Sequence, residues 1–156
     1  MQLEFPKLDQ DDIKALLATP NHPVSIVLDT DTYNEIDDQF ALLYAMLSDN
    51  LNVEAIYAAP FHNGKSSGPG DGMEKSYEEI LRILDHMGID RKNDVYRGAT
   101  EYLPSLSDPR PSAAVEDLIE RAMEPRTDPL YVVAIGAITN IATALLTEPN
   151  LVQRIV

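Results

Sequence analysis

Hydrophobic and polar positions divide the chain into short strand-like segments and longer amphipathic stretches that alternate. Four short segments have the length and composition of strands: residues 24–28, 53–59, 94–98 and 130–136. Four stretches repeat apolar residues every three or four positions, as helices do: residues 37–48, 73–88, 112–124 and 137–147. Strands that alternate with helices are typical of βαβ units. The pattern therefore predicts an α/β fold, with a doubly wound, mostly parallel sheet and helices on both faces.

Three further features complete this pattern. Gly88 follows the second predicted helix and is a candidate left-handed C-terminal cap. Residues 62–72 are rich in Gly, Ser and Pro and predict a long loop, of the kind that often carries function. The apolar segment 151–156 predicts a helix-like turn that leads into another strand.

Five acidic side chains crowd between the first predicted strand and the first predicted helix: Asp29, Asp31, Glu35, Asp37 and Asp38. Ligands of parallel sheets bind outside the carboxyl ends of the strands, so we expect a site here. The helix dipole, at about 0.3–1 kcal/mol per charge, accounts for Asp37 and Asp38 but does not offset the repulsion among four carboxylates. The cluster therefore predicts a bound cation.

The composition narrows the choice of ligand. Lys and Arg total 12 against 26 Asp and Glu, and the net charge of −14 disfavours nucleic acids and anionic membranes as partners. The absence of Cys and the presence of three His disfavour zinc and copper and leave calcium or magnesium. The sequence has no membrane-spanning run and no secretory signal, so we expect a cytoplasmic protein.

The segment SIVLDTDT (25–32) resembles the first motif of haloacid-dehalogenase-type phosphatases. That resemblance implies that Asp29 attacks phosphorus, that Asp31 acts as acid and base, and that magnesium holds the phosphate. The motif has no use for the pair Asp37 and Asp38 at that place. A magnesium-dependent phosphatase is therefore an alternative function.

The segment VLDTDTYNEIDD (27–38) resembles the signature of the inosine-uridine-preferring nucleoside hydrolases, Asp-x-Asp after the first strand and Asp-Asp at the start of the first helix. Residues 132–145 are similar to that family's Gly-Pro-Leu-Thr-Asn segment, with Ala-Ile in place of Pro-Leu. Residues 95–99 (VYRGA) and 61–63 (FHN) resemble two more of its segments, in the same order. This resemblance implies the nucleoside hydrolase fold.

The resemblance also implies calcium-dependent hydrolysis of the N-glycosidic bond of nucleosides, a salvage reaction. Asp31 would bind calcium and take a proton from the bound water. Asp38 would be a second, bidentate ligand, and Thr139 would give its backbone carbonyl to the metal. Asp37 would accept a hydrogen bond from the ribose 2′-hydroxyl, and Asn63 would contact the sugar.

Some of these residues also have structural interpretations. Thr139 and Asn140 are of types favoured as helix caps, and Asn63 is of a type favoured in turns. The turn between the two acidic pairs is two residues longer than the family's usual Pro-Gly turn. That difference places Asn34 and Glu35 near the sugar as further substrate-binding candidates.

Members of the family are much longer than this chain, so the resemblance implies that residues 1–156 are the N-terminal part of a single domain. The last aspartate ligand and most base-contacting residues would then come from a C-terminal half. We expect no hydrolysis by residues 1–156 alone, and association with that half or with another copy of the chain through apolar faces of segments 141–147 and 151–156. A non-catalytic fragment that binds a divalent cation or ribose is the other alternative.

Overall fold

A four-stranded parallel sheet forms the centre of the protein. The computed structural model describes residues 4–156. The strands are β1 (Val24–Thr30), β2 (Leu51–Ala58), β3 (Val95–Arg97) and β4 (Tyr131–Ala134). Their order across the sheet is β3-β2-β1-β4, and every pairing is parallel. The predicted α/β fold and all four predicted strands are confirmed.

Helices connect the strands and cover the sheet. Within residues 4–156 they are α1 (Gln10–Leu16), α2 (Ile36–Leu47), α3 (Pro69–His86), α4 (Ala113–Met123) and α5 (Thr139–Thr147), with 3₁₀ turns at Lys92–Asp94 and Pro149–Gln153. None of these helices is long and apolar enough to cross a membrane. Helices α2 to α5 confirm the sequence pattern. Helix α1 was not predicted, although Asp9 and Asp12 form a capping box at its start.

Helix α3 begins earlier than predicted and shortens the loop after β2. Its first turn packs against Phe61, and a Cβ atom at Gly72 would lie 2.0 Å from the Phe61 carbonyl oxygen. At its other end Gly88 has a φ of 69°, and the N–H of Ile89 donates to the carbonyl of Leu84 at 2.9 Å. This is the left-handed cap expected from the sequence.

Strand β1 lies at the centre and is buried on both faces. Ile26 and Leu28 pack into the core under α2 and α3, where Leu42 is fully buried. Val27 points to the opposite face and packs with Leu118 under α4 and α5. A strand covered on both sides reads as a continuous apolar run, which explains its sequence. It also means that the residues at the end of β1 emerge among packed side chains.

The last residues of the chain run beside β4. The N–H of Val156 donates to the carbonyl of Leu130 at 3.0 Å, and the N–H of Val132 donates to the carbonyl of Val156 at 2.8 Å. Ile155 forms a parallel bridge with Leu130. Segment 151–156 therefore ends in a single bridge beside β4, and the further strand that its apolar pattern predicted stays a prediction.

The exposed apolar surface is not where the sequence placed it. Ala144 of α5 and Leu151 are fully buried, because both pack against the face of the sheet that α4 covers. The expectation that segments 141–147 and 151–156 present uncovered apolar faces is therefore wrong. Four side chains of α2 are instead 65–71% exposed: Ile36, Phe40, Tyr44 and Leu47. Association of the chain with a partner stays a prediction.

Candidate functional site

The loops that follow β1 and β4 face each other across a cleft. Helix α2 after β1 covers one face of the sheet and α5 after β4 covers the other, so the two connections diverge at this strand pair. Ligands of doubly wound sheets bind at this switch point. The cleft has a volume of about 320 Å³ and is lined by Asp31, Asn34, Glu35, Asp37, Asp38, Ala41, Ile135, Gly136 and Ala137. Five of the seven predicted site residues therefore line one cleft.

Two buried carboxylates lie at the base of the cleft. Asp31 is 6% exposed and Asp38 is 7% exposed. The side-chain amide of Asn34 donates to Oδ2 of Asp31 at 2.9 Å, and the hydroxyl of Thr30 donates to Oδ1 of Asp38 at 3.0 Å. Within residues 4–156 neither carboxylate forms an ion pair with Lys, Arg or His. Neutral donors therefore orient this pair without neutralising it.

The pKa of Asp38 shows that ionised carboxylates are disfavoured in this buried cluster. Burial raises the pKa of Asp38 to about 6, and the negative charges of Asp31 and Asp37 add to the increase. The hydrogen bond from Thr30 opposes it. An opposite charge near a carboxylate stabilises its ionised form. The electrostatics of the cleft therefore favour a bound cation.

Asp29 is buried behind the cleft and does not line it. The side chain has no solvent exposure, and Oδ2 accepts a hydrogen bond from the Asn140 amide at 2.7 Å. Oδ1 has no hydrogen-bond partner among the described residues. Burial raises the pKa of Asp29 to about 7, with the Asn140 bond opposing this shift and the Asp31 charge adding to it. Asp29 is therefore a structural neighbour of the site.

The loop after β2 reaches the cleft through Asn34. The side-chain amide of Asn63 donates to Oδ1 of Asn34 at 2.6 Å, and the ammonium group of Lys65 donates to the Asn34 backbone carbonyl. Asn63 is exposed and does not itself line the cleft. Asn34 thus contacts both Asp31 and the second loop. The extra residues between the two acidic pairs join the two loops at the mouth of the cleft.

The start of α5 differs from its sequence interpretation. Thr139 is buried and is not among the residues that line the cleft. The N-cap of α5 is Ile138, which makes no side-chain capping bond, so the interpretation of Thr139 and Asn140 as caps is wrong. Sequence reasoning also missed Thr30 and Gly136. The Thr30 hydroxyl holds Asp38, and a Cβ atom at Gly136 would lie 3.0 Å from the carboxylate of Asp31.

The described residues supply only part of a metal site. Among residues 4–156, no three His, Cys, Asp or Glu side chains converge as a group that could hold a metal ion. Asp31 and Asp38 are two carboxylates of the type that calcium and magnesium prefer. The donor chemistry fits a hard cation, and the number of donors falls short of a full shell.

Comparison with known proteins identifies the family of the chain. The family model described as inosine-uridine preferring nucleoside hydrolase matches residues 26–156. The chain belongs to this family. Its matched range includes both loops of the cleft and all seven predicted site residues. Membership confirms the resemblance seen in the acidic signature.

A solved structure described as an inosine-guanosine nucleoside hydrolase (IG-NH) is also similar. Its TM-score is 0.57 and its sequence identity is 24%, over 81% of this chain and 44% of that chain. At this identity the likeness shows a common fold, and the chain spans less than half the length of that hydrolase. The comparison with curated proteins gave no match.

The geometry gives no support to the phosphatase alternative. A nucleophilic aspartate has to reach the phosphorus of its substrate. Asp29 has no solvent exposure, and Asn140 lies against one of its oxygens. The nucleoside hydrolase family is the assignment that accounts for both acidic pairs.

We predict that Asp29 makes the metal-free protein lose stability as the pH rises from about 4 to about 7. The pKa of Asp29 is 3.8 in a model compound and about 7 in the fold. Between these values the native state holds a proton that the unfolded state has released, so this contribution is full at low pH and lost near pH 7. The contribution of Asp29 to the free energy of unfolding at low pH is on the order of a few kcal/mol.

The measurement is urea unfolding with a chelator at several pH values between 4 and 7.5, for the native protein and Asp29→Asn. The free energy of unfolding of the variant should fall less over this range than that of the native protein. Equal slopes would show that Asp29 does not titrate as stated.

Proposed function

We propose that this protein takes part in the calcium-dependent hydrolysis of the N-glycosidic bond of nucleosides. One observation carries the proposal: in a chain of the nucleoside hydrolase family, Asp31 and Asp38 are buried at the base of a switch-point cleft and have no cationic partner within residues 4–156. Because the chain spans less than half of the similar hydrolase, the activity is proposed for the whole protein to which these residues belong.

Asp31 is the proposed general base. Its carboxylate lies in the cleft, and the bond from Asn34 fixes its orientation. In that position it accepts the proton of the water that attacks the sugar. Cleavage of a glycosidic bond passes through a cationic sugar, which nearby carboxylates stabilise electrostatically. One cluster of acidic residues thus serves both the proton transfer and the developing charge.

The sugar would bind at the mouth of the cleft. Asp37 is exposed in the first turn of α2 and lines the cleft, where it would accept a hydrogen bond from the 2′-hydroxyl. Asn34 and Glu35 line the same opening, and Asn63 is bonded to Asn34. These polar groups match the hydroxyl-rich face of a pentose. The substrate would therefore be a small nucleoside. The corresponding role is nucleoside salvage, which we place in the cytoplasm as part of the proposal.

Calcium is the proposed cofactor because the available donors are oxygens. Asp31 and Asp38 would hold it through their carboxylates. Thr139 does not line the cleft, so its role as a backbone-carbonyl ligand stays a prediction from the sequence. Calcium takes about six to eight oxygen ligands, so the remaining positions are left to water, sugar hydroxyls or further protein groups. When bound, the cation lowers the pKa of a coordinated water and so supplies the nucleophile.

The alternative of a non-catalytic fragment that binds a cation or ribose uses the same cleft. It agrees with the lack of a three-residue metal group among residues 4–156. Measurements of cation binding and of base release distinguish this alternative from the hydrolase. The fragment alternative predicts cation binding without turnover in every form of the protein.

We predict that Asp38→Ala weakens calcium binding at least about tenfold, because it removes a buried carboxylate that orients and neutralises the cation. Glu35→Ala is the matched control. It removes the same charge from the same cleft, but Glu35 is exposed and makes no capping bond. Its effect should be much smaller. Calorimetry with calcium chloride measures both, and equal affinities in the two variants would contradict the assignment.

For catalysis, Asp37→Ala should lower the kcat for release of free base from inosine or uridine by about 100-fold, because bonds to the 2-hydroxyl strengthen in the transition state. Asp49→Ala, an exposed charge just beyond the other end of α2, should leave the rate unchanged.

The assay uses the entire product of the gene that encodes this chain, beside residues 1–156 on their own, for which no turnover is expected. An Asp37→Ala variant that keeps full activity would reject the proposed role of that residue. Hydrolysis of p-nitrophenyl phosphate without nucleoside cleavage would reject the proposed function.

A further inference from the structure

The wall of the cleft opposite Asp31 is attached to Asp29 at two points. This wall belongs to the β4–α5 turn, the segment that joins β4 to the first turn of α5, residues 135–140, of which residues 135–137 line the cleft. At its start, the N–H of Ile135 donates to the backbone carbonyl of Asp29 at 2.9 Å. At its end, the side-chain amide of Asn140 donates to Oδ2 of Asp29 at 2.7 Å. Between these bonds Gly136 lies so close to Asp31 that a Cβ atom there would be 3.0 Å from the carboxylate.

Asn140 also joins the ends of the two remaining strands. Its Oδ1 accepts the N–H of Ala99, just after β3, at 2.8 Å, and its Nδ2 lies 3.4 Å from the carbonyl oxygen of Ala58 in β2. Gly98 provides the space, because a Cβ atom there would lie 2.4 Å from Nδ2 of Asn140 and 2.1 Å from the Ala58 oxygen. One fully buried side chain therefore ties β1, β2 and β3 to α5.

We propose that Asn140 is a positioning residue of the hydrolase site. It holds the β4–α5 turn against Asp29, and so sets the distance between Asp31 and Gly136 and the place of the first turn of α5 across the cleft. Asn140 has no solvent exposure and does not line the cleft, so it acts through these neighbours and touches neither sugar nor cation. The inference rests on the proposed function, since it concerns the same cleft.

The carboxamide is the group that this position requires. It donates to Asp29 and accepts from Ala99 at the same time, which neither a carboxylate nor an aliphatic side chain can do. Aspartate at position 140 would face the carboxylate of Asp29, and alanine would leave the buried polar groups of Asp29 and Ala99 without a partner. Residues that orient metal ligands from behind typically change metal affinity or activity by about 10–100-fold when they are removed.

The first test compares Asn140→Ala with Thr143→Ala, both made in the entire product of the gene that encodes this chain. Thr143 is equally buried one turn further along α5, where its hydroxyl accepts a bond from the N–H of Arg110 at 3.4 Å, away from the cleft. In Asn140→Ala, calcium affinity in calorimetry should fall about 10–100-fold at unchanged stoichiometry, and kcat should fall more than KM rises. Thr143→Ala should lower the Tm and leave affinity and kcat unchanged.

A purely structural role for Asn140 predicts a different result. The folded fraction of Asn140→Ala would then bind calcium with native affinity, and only the Tm or the stoichiometry would change. That result, or equal losses of affinity in Asn140→Ala and Thr143→Ala, would overturn the proposal.

The second test exchanges the side chains of the hydrogen-bonded pair Asp29 and Asn140. Asn140→Asp places two carboxylates together and should weaken calcium binding strongly. Combining it with Asp29→Asn restores a donor and an acceptor. The calcium affinity of this double variant should be at least about tenfold higher than that of Asn140→Asp alone. If the double variant binds calcium no more tightly than Asn140→Asp alone, a direct positioning contact between residues 29 and 140 is contradicted.

Amide hydrogen exchange separates this inference from the proposed function, because it needs neither calcium nor turnover. The N–H groups of Ile135 and Ala99 should lose protection in Asn140→Ala and keep it in Thr143→Ala. Unchanged protection at both would overturn the positioning role. A native protein that binds no calcium and cleaves no nucleoside, yet shows this loss in Asn140→Ala, would overturn the proposed function alone.

Discussion

Negative charge buried at the end of a central strand is the constraint on which this structure depends. Strand β1 is covered by helices on both faces, so the residues at and just after its end have little access to water. Removing an ionised carboxylate from water costs several kcal/mol, by an order-of-magnitude estimate, unless hydrogen bonds or an opposite charge compensate. The fold supplies neutral donors for this purpose: Thr30 for Asp38, Asn34 for Asp31 and Asn140 for Asp29.

Elsewhere the chain compensates a partly buried carboxylate, that of Asp117, in a different way. Asp117 of α4 accepts the hydroxyl of Tyr57 at 2.6 Å and the guanidinium of Arg121 at 2.8 Å, and the pKa of Asp117 stays below its usual value even though burial opposes this. In the cleft, by contrast, the pKa of Asp38 rises, because its neighbours are acids. Arginine neutralises Asp117, whereas Asp31 and Asp38 have no cationic side chain beside them among residues 4–156. This difference is the physical basis for proposing a cation at the switch point.

Periodicity predicted much of the fold because its signals are local. The strands follow from short apolar runs, and helices α2 to α5 follow from apolar residues that repeat every three or four positions. Gly88 follows from the end of such a repeat. Helix α1 is seven residues long and has no buried side chain, so the apolar spacing of Ile13 and Leu16 gives only a short periodic signal after its Asp9 cap. The exposed apolar side chains of α2 were missed because the same periodicity does not show which faces other elements cover, and Leu151 was misassigned for that reason.

In the candidate site, too, the residues with local sequence signals were predicted and the one with long-range contacts was not. Asp31, Asp37 and Asp38 were identified because they are close in sequence and follow the predicted strand. Asn140 lies 111 residues from Asp29 in the chain, and its contacts with Ala58 and Ala99 depend on the strand order, so local pattern predicted at most a helix cap. The family resemblance covered this residue without indicating what it contacts. Long-range hydrogen bonds of this kind become visible only when the sheet is assembled.

The proposed function depends on a divalent cation that Asp31 and Asp38 would hold in the cleft between the β1 and β4 loops. The most direct measurement is a crystal structure grown with calcium and then with terbium, which gives anomalous scattering at the calcium position. We expect one anomalous peak within about 2.3–2.6 Å of carboxylate oxygens of both residues. Saturating terbium without a peak in this cleft, or a peak bound only by exposed carboxylates elsewhere, would contradict it.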